Sequence, residues 1–122
     1  MVGYRTDLPR VFAACDIFVH CPTYPDPFPT VIPEAMMMGK AAVGSRIGGI
    51  PEQVADGLTG LTVNPNDPID LARALNRLLG DPGLRSRLAA AGQAEALSRY
   101  APRTQAVAQV EYYTTMLRGT AL

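Results

Sequence analysis

Tryptophan is absent from the sequence, histidine occurs once, at His20, and cysteine twice, at Cys15 and Cys21. So small a set excludes a disulfide framework, and neither the cysteines nor His20 fall in a cluster with metal-ligand spacing. Both cysteines lie in largely apolar stretches, the setting of buried reduced thiols. Charge of one sign is lacking too: eleven Lys and Arg balance eleven Asp and Glu. That removes the electrostatic footprint of a nucleic-acid or anionic-membrane binder. No apolar run approaches the roughly 18–20 residues of a membrane-spanning helix. The first residues lack the basic-then-apolar order of a secretion signal, with Arg5 and Asp7 breaking the run, so a cytoplasmic location is expected.

What remains is 122 residues, 48% apolar and 18% charged, enough for one domain or part of one. Val2-Gly3-Tyr4 reads as the end of a strand. Thr6 is a helix N-cap, followed by Pro9 and by Leu8, Val11 and Phe12 on one face. The apolar run 16–20 reads as a strand covered on both faces. A proline-dense loop leads to a helix from Thr30 to Met38 that stops at Gly39. A strand at 41–45, a brief helix from Pro51 through Ala55 and a strand at 61–63 follow. Asp67-Pro68 and Asp81-Pro82 each start a helix, with cap and proline in their favoured positions. The first carries the stripe Leu71, Leu75, Leu78 and Leu79 and ends at Gly80; the second runs to about Tyr100. Pro102 opens a last helix in which Ala106, Val110, Tyr113 and Leu117 align. Strands alternating with helices through short links give an α/β fold, a Rossmann-like parallel sheet flanked by helices, with the helical C-terminal half covering the sheet. The chain begins almost inside a strand, which suggests truncation at the N-terminus.

In such a sheet, ligands bind beyond the carboxyl ends of the strands. The loop after 16–20 and the helix start at Thr30 lie there. First-turn amides have no intrahelical partner, so those of Thr30, Val31 and Ile32 either form an anion site or bind water. Asp26 precedes this start and Glu34 follows it. An ionised carboxylate accepts hydrogen bonds only, which suits vicinal sugar hydroxyls, although a loop-capping Asp and an exposed helix Glu are the plainer readings. His20 is a conceivable general base or a packed strand-end residue. Lys40 and Arg46 are candidate phosphate contacts, with Lys40 better placed to meet the dipole of the helix it follows. Gly48-Gly49 is either an anion nest or a tight turn. One or two of Met36, Met37 and Met38 face the core.

The run Asp26-Pro27-Phe28-Pro29-Thr30-Val31-Ile32-Pro33-Glu34-Ala35-Met36, with Gly39-Lys40, Gly48-Gly49-Ile50-Pro51-Glu52 and Asp56-Gly57-Leu58-Thr59-Gly60, resembles the C-terminal donor-binding domain of GT-B glycosyltransferases. More narrowly, it resembles the retaining family 4, or glycosyl transferases group 1. The likeness runs in order over nearly the whole chain. It implies half of a GT-B fold, residues 1–122 being part of a C-terminal nucleotide-sugar-binding domain. It also implies roles: Glu34 on the ribose hydroxyls of a nucleotide-sugar, and Asp26 near the transferred sugar. The backbone around Phe28, Pro29 and Thr30 would face the sugar, and the Thr30 and Val31 amides the distal phosphate. Three positions depart from the pattern. Asp stands for the commoner Glu at 26, Pro29 for a frequent Gly and Ala41 for the usual Pro. No Asp-x-Asp pair is present, as in the metal-independent GT-B type, so neither metal nor other cofactor is expected. The acceptor-binding N-terminal domain is missing. The chain alone is therefore expected to be inactive and to self-associate through its open sheet, while Tyr112 and Tyr113 of the last helix pack on the missing half. A non-catalytic module that binds nucleotides or partners is the alternative.

Overall fold

In the computed structural model, residues 5–119 are described. The strand end expected at Val2-Gly3-Tyr4 lies outside them. Nine elements follow in order: α1 (Leu8–Ala13), β1 (Ile17–His20), α2 (Val31–Met37), β2 (Ala41–Ser45), α3 (Ile50–Gln53), β3 (Leu61–Val63), α4 (Pro68–Gly80), α5 (Pro82–Tyr100) and α6 (Pro102–Gly119). The strands form one parallel sheet in the order β1-β2-β3, with Ile17 opposite Ala41 and Val43 opposite Leu61.

Period-2 alternation divides the core between the two faces of this sheet. Ala41, Val43, Leu61 and Val63 point to one face, where Leu78 of α4 and Leu84 and Leu88 of α5 cover them. Ala42 points to the other, against Ile32 and Met36 of α2, Ile50 of α3, Val54, and Ala96 of α5. Every residue of β2 is buried, which is why the strand reads as an unbroken apolar run. Leu78 and Leu88 are wholly inaccessible, each contributing about 1.5–3 kcal/mol of burial. Of the three methionines in sequence, Met36 is fully buried and Met38 exposed.

The helix starts expected at Asp67 and Asp81 are present: Asp67 accepts from the amides of Ile69 (3.1 Å) and Asp70 (2.9 Å), and Asp81 from that of Leu84 (2.8 Å). Four expectations need correction. The cap position of α1 is Asp7 rather than Thr6, and the Asp7 carboxylate turns back to the Arg5 guanidinium (2.7 Å) instead of capping. The brief third helix ends at Gln53, since Val54 is already extended. Lys40 does not serve the helix it follows; its Nζ reaches 3.4 Å to the carbonyl of Ala13, the last residue of α1. Within the helical C-terminal half only α4 and α5 cover the sheet, because α6 packs mainly on α5 and buries none of its residues.

The outer side of β3 is closed by side chains. Parallel pairing with β2 leaves the Thr62 and Asn64 amides and the Thr62 carbonyl facing outward. Asp56 accepts from the Thr62 amide (2.7 Å) and Asp70 from the Asn64 amide (2.8 Å), while Arg46 donates to the Thr62 carbonyl (3.0 Å). Among the described residues no strand pairs with the far side of β1.

Candidate functional site

The loop from β1 to α2 crosses the carboxyl end of the sheet. Ser45, inaccessible at the end of β2, donates to the Pro22 carbonyl (2.8 Å) and anchors the start of this loop. Its last turn is built by Asp26, whose Oδ1 accepts from the Phe28 amide at 3.0 Å, an Asx turn. The plainer, loop-capping reading of Asp26 thus describes one of its oxygens. The Phe28 amide is consequently taken, and Pro29 has none to offer. No acceptor among the described residues takes the N–H of Thr30, Val31 or Ile32. The free donors are therefore those three, displaced along the chain from the Phe28-to-Thr30 backbone.

From beneath, this turn rests on the segment between β2 and α3. The Gly49 amide donates to the Asp26 carbonyl at 2.9 Å. A methyl group on Gly49 would fall 2.0 Å from the Pro27 carbonyl oxygen, and one on Gly48 2.3 Å from that of Asp26. Gly48-Gly49 is thus a close backbone approach rather than an open anion nest. Gln53 of α3, 1% exposed, donates through Nε2 to the Pro29 carbonyl (3.3 Å). At the side, the Phe28 ring meets Tyr100 edge-on, with centroids 5.5 Å apart. Tyr100 also donates its hydroxyl to the Glu52 carbonyl (3.4 Å), and burial raises the pKa of its phenol above the ordinary value.

Glu34 lies in the first turn of α2 and is half-buried. It opens onto a groove of about 290 Å3 between α1 and α2, walled by Leu8, Pro9, Phe12, Met37 and Met38. A carboxylate with both oxygens free beside an apolar wall suits a polyol attached to a flat apolar group. Asp26 does not line this groove, so the two acids serve separate parts of the surface. Arg46 is bound to Thr62 and Asn64 on the β3 side, so it and Lys40 are both engaged away from the turn. The His20 Nε2 is buried without a hydrogen-bond partner, as in a packed strand-end residue. Reading the sequence overlooked Gln53 and Tyr100. For Gln53 a signal existed: its spacing from Ile50 puts it on the buried face of α3.

A family profile described as glycosyl transferases group 1 matches residues 1–95. The chain belongs to that family. Among curated relatives, the group 1 chain is 37% identical over 115 residues to a D-inositol 3-phosphate glycosyltransferase of Streptomyces bingchenggensis, covering 94% of this chain and 25% of that protein. It is 38% identical over 100 residues to an alpha-maltose-1-phosphate synthase of Mycobacterium tuberculosis, covering 76% and 25%. It thus spans about a quarter of the length of either relative. Its fold superposes on Anabaena Alr3699/HepE, solved in complex with UDP-glucose, with a TM-score of 0.84 and 34% identity over 92% of this chain and 31% of that one. It also superposes on the C-terminal domain of a group 1 family protein (LpcC) from Francisella tularensis, with a TM-score of 0.70 and 25% identity over 82% and 50%. The parallel sheet with flanking helices is accordingly part of a GT-B fold, and the family is one of sugar-transferring enzymes. No helix among the described residues is long and apolar enough to cross a membrane.

Proposed function

We propose that residues 1–122 form part of the C-terminal, nucleotide-sugar-binding domain of a retaining glycosyltransferase. The observation that carries this reading is the turn at 26–34: three unpartnered amides, at Thr30, Val31 and Ile32, precede the half-buried Glu34 in a fold shared with a protein solved with UDP-glucose. In this reading Glu34 accepts from two ribose hydroxyls. The free oxygen of Asp26 lies toward the transferred sugar, Phe28 and Pro29 form the wall beside it, and the Thr30 and Val31 amides receive the distal phosphate. Amides held rigid before reaction stabilise charge that accumulates on the diphosphate as the glycosidic bond breaks. The site takes neither metal nor other cofactor, and a cytoplasmic location belongs to the same proposal.

Catalysis across a cleft needs both walls, so the chain alone is inactive without the acceptor-binding half, on which Tyr112 and Tyr113 of α6 dock. Isolated, it self-associates through the uncovered side of β1; light scattering showing a clean monomer would refute that part. The central test is a titration of the 15N-labelled chain with UDP, GDP and ADP at millimolar concentration, with Glu34→Ala beside it. Shifts centred on Thr30–Glu34 for one nucleotide, lost in the variant, are expected. Silence for all three, both in this chain and in one extended upstream through the acceptor half, would overturn the reading.

A further inference from the structure

Gln53 has no assigned role, yet it is the one inaccessible amide side chain that touches the turn at 26–30. The Pro29 carbonyl oxygen can only accept, so the Gln53 NH2 must face it, and the 3.3 Å contact is a hydrogen bond directed inward from the loop. No cis peptide bond occurs among the described residues, so the Pro29–Thr30 unit is trans and its C=O and N–H point in opposite directions. A carbonyl held inward by Gln53 therefore turns the Thr30 N–H outward, where it has no partner in the protein. The other end of the same side chain, Oε1, is buried without a donor. An apolar residue of equal size would avoid that cost. What glutamine adds at this position is the N–H group.

We infer that Gln53 is a positioning residue: it sets the plane of the Pro29–Thr30 peptide so that the Thr30 amide is presented to a phosphate oxygen of the donor. The inference rests on the nucleotide-sugar reading for its ligand, but the orientation it describes exists without ligand. Gln53 reaches the site through backbone alone, and the nearby Gly49 amide, bonded to the Asp26 carbonyl, holds the turn without setting this peptide plane.

The test compares the 122-residue chain with Gln53→Met and Gln53→Leu, each labelled with 15N and 13C. Without ligand, loss of the donor moves the Pro29 carbonyl carbon and the Thr30 amide nitrogen upfield, while resonances of β2 and α4 stay in place. With UDP, Gln53→Met binds about tenfold more weakly, as for one lost hydrogen bond to a charged group, and the Thr30 response disappears while that of Glu34 persists. Unchanged Pro29 and Thr30 resonances in the ligand-free variant would overturn the inference. So would an unchanged UDP affinity with an unchanged Thr30 response. Wild-type chain that ignores UDP, alone and extended upstream, would sink the donor reading, while the ligand-free resonances would still decide whether Gln53 holds the peptide. Should Gln53→Met lose the β2 and α4 pattern, Gln53→Leu answers the same question, since it too is uncharged, close in volume and without a donor.

Discussion

Gly49→Ala isolates the seam on which the donor turn rests. The backbone at Gly49 has φ −83°, a conformation open to any residue, so alanine meets no torsional penalty there. What it meets is contact: the new methyl lies 2.0 Å from the Pro27 carbonyl oxygen and 2.9 Å from its carbon. Carbon and oxygen normally approach to about 3.3 Å, so roughly 1.3 Å must be found between two stretches of backbone. Moving them apart breaks the Gly49-to-Asp26 hydrogen bond and loosens the Gln53 contact, which lies four residues further along. Overpacking and one lost buried bond together cost about 3 kcal/mol. Gly57→Ala is the counterpart: φ is +73° and nothing lies within 4 Å of the added methyl. Only the left-handed backbone is penalised, at about 1 kcal/mol. At roughly 4 °C per kcal/mol for a chain of this size, thermal unfolding should fall by about 12 °C for Gly49→Ala and about 4 °C for Gly57→Ala. Equal losses would refute the seam, because they would mean that backbone freedom, and not contact with the donor turn, governs both positions.

Tyr100→Phe removes only the long hydroxyl bond to Glu52, and Tyr100→Ala also removes the ring beside Phe28. Urea unfolding should show under about 1 kcal/mol for the first and about 2–3 kcal/mol for the second, and equal values would refute the ring contact. Burial holds the Cys21 thiol above its ordinary 9.0, so the folded state favours the neutral form. Its contribution to stability is therefore complete below about pH 9 and is lost as pH rises through the folded value; alkylation at Cys21 should be much slower in the folded chain than in denaturant, and equal rates would contradict this. Asp56→Ala leaves the Thr62 amide without its acceptor, at a cost of about 1–2 kcal/mol, and should speed hydrogen exchange at Thr62; unchanged exchange would show that the side-chain bond does not protect that edge.

Most of the fold was legible because its signals are local. Asp67-Pro68 and Asp81-Pro82 specify helix starts through bonds that span only a few residues, and the unbroken apolar run of β2 follows from its covering on both faces. The donor turn was legible as a loop leading to a helix start with an acid on either side. Its supports were not, because each joins residues far apart in the chain. Arg46 was a candidate phosphate contact by charge alone, and Lys40 was read chiefly as meeting the dipole of the helix it follows, whereas Thr62 with Asn64 take the first and Ala13 the second. Gly48-Gly49 carried a signal for a special backbone, but the partner that needs the space, Asp26-Pro27, is visible only in three dimensions. The stripe on α6 marked a helix correctly, but the expectation that the whole helical C-terminal half covers the sheet does not hold for it, since periodicity shows that a face is apolar and not what covers it.

The closed side of β3 has a consequence for how many copies can join. Open-ended stacking of sheets requires each molecule to offer two competent edges, one to receive and one to extend. Here Asp56, Arg46 and Asp70 occupy one of them with the donors and acceptors a further strand would bring. In the self-association proposed above, two copies meeting through β1 would use on each other the edge left open among the described residues, so that both ends of the joined sheet would be β3. Such pairing is isologous and terminates at two.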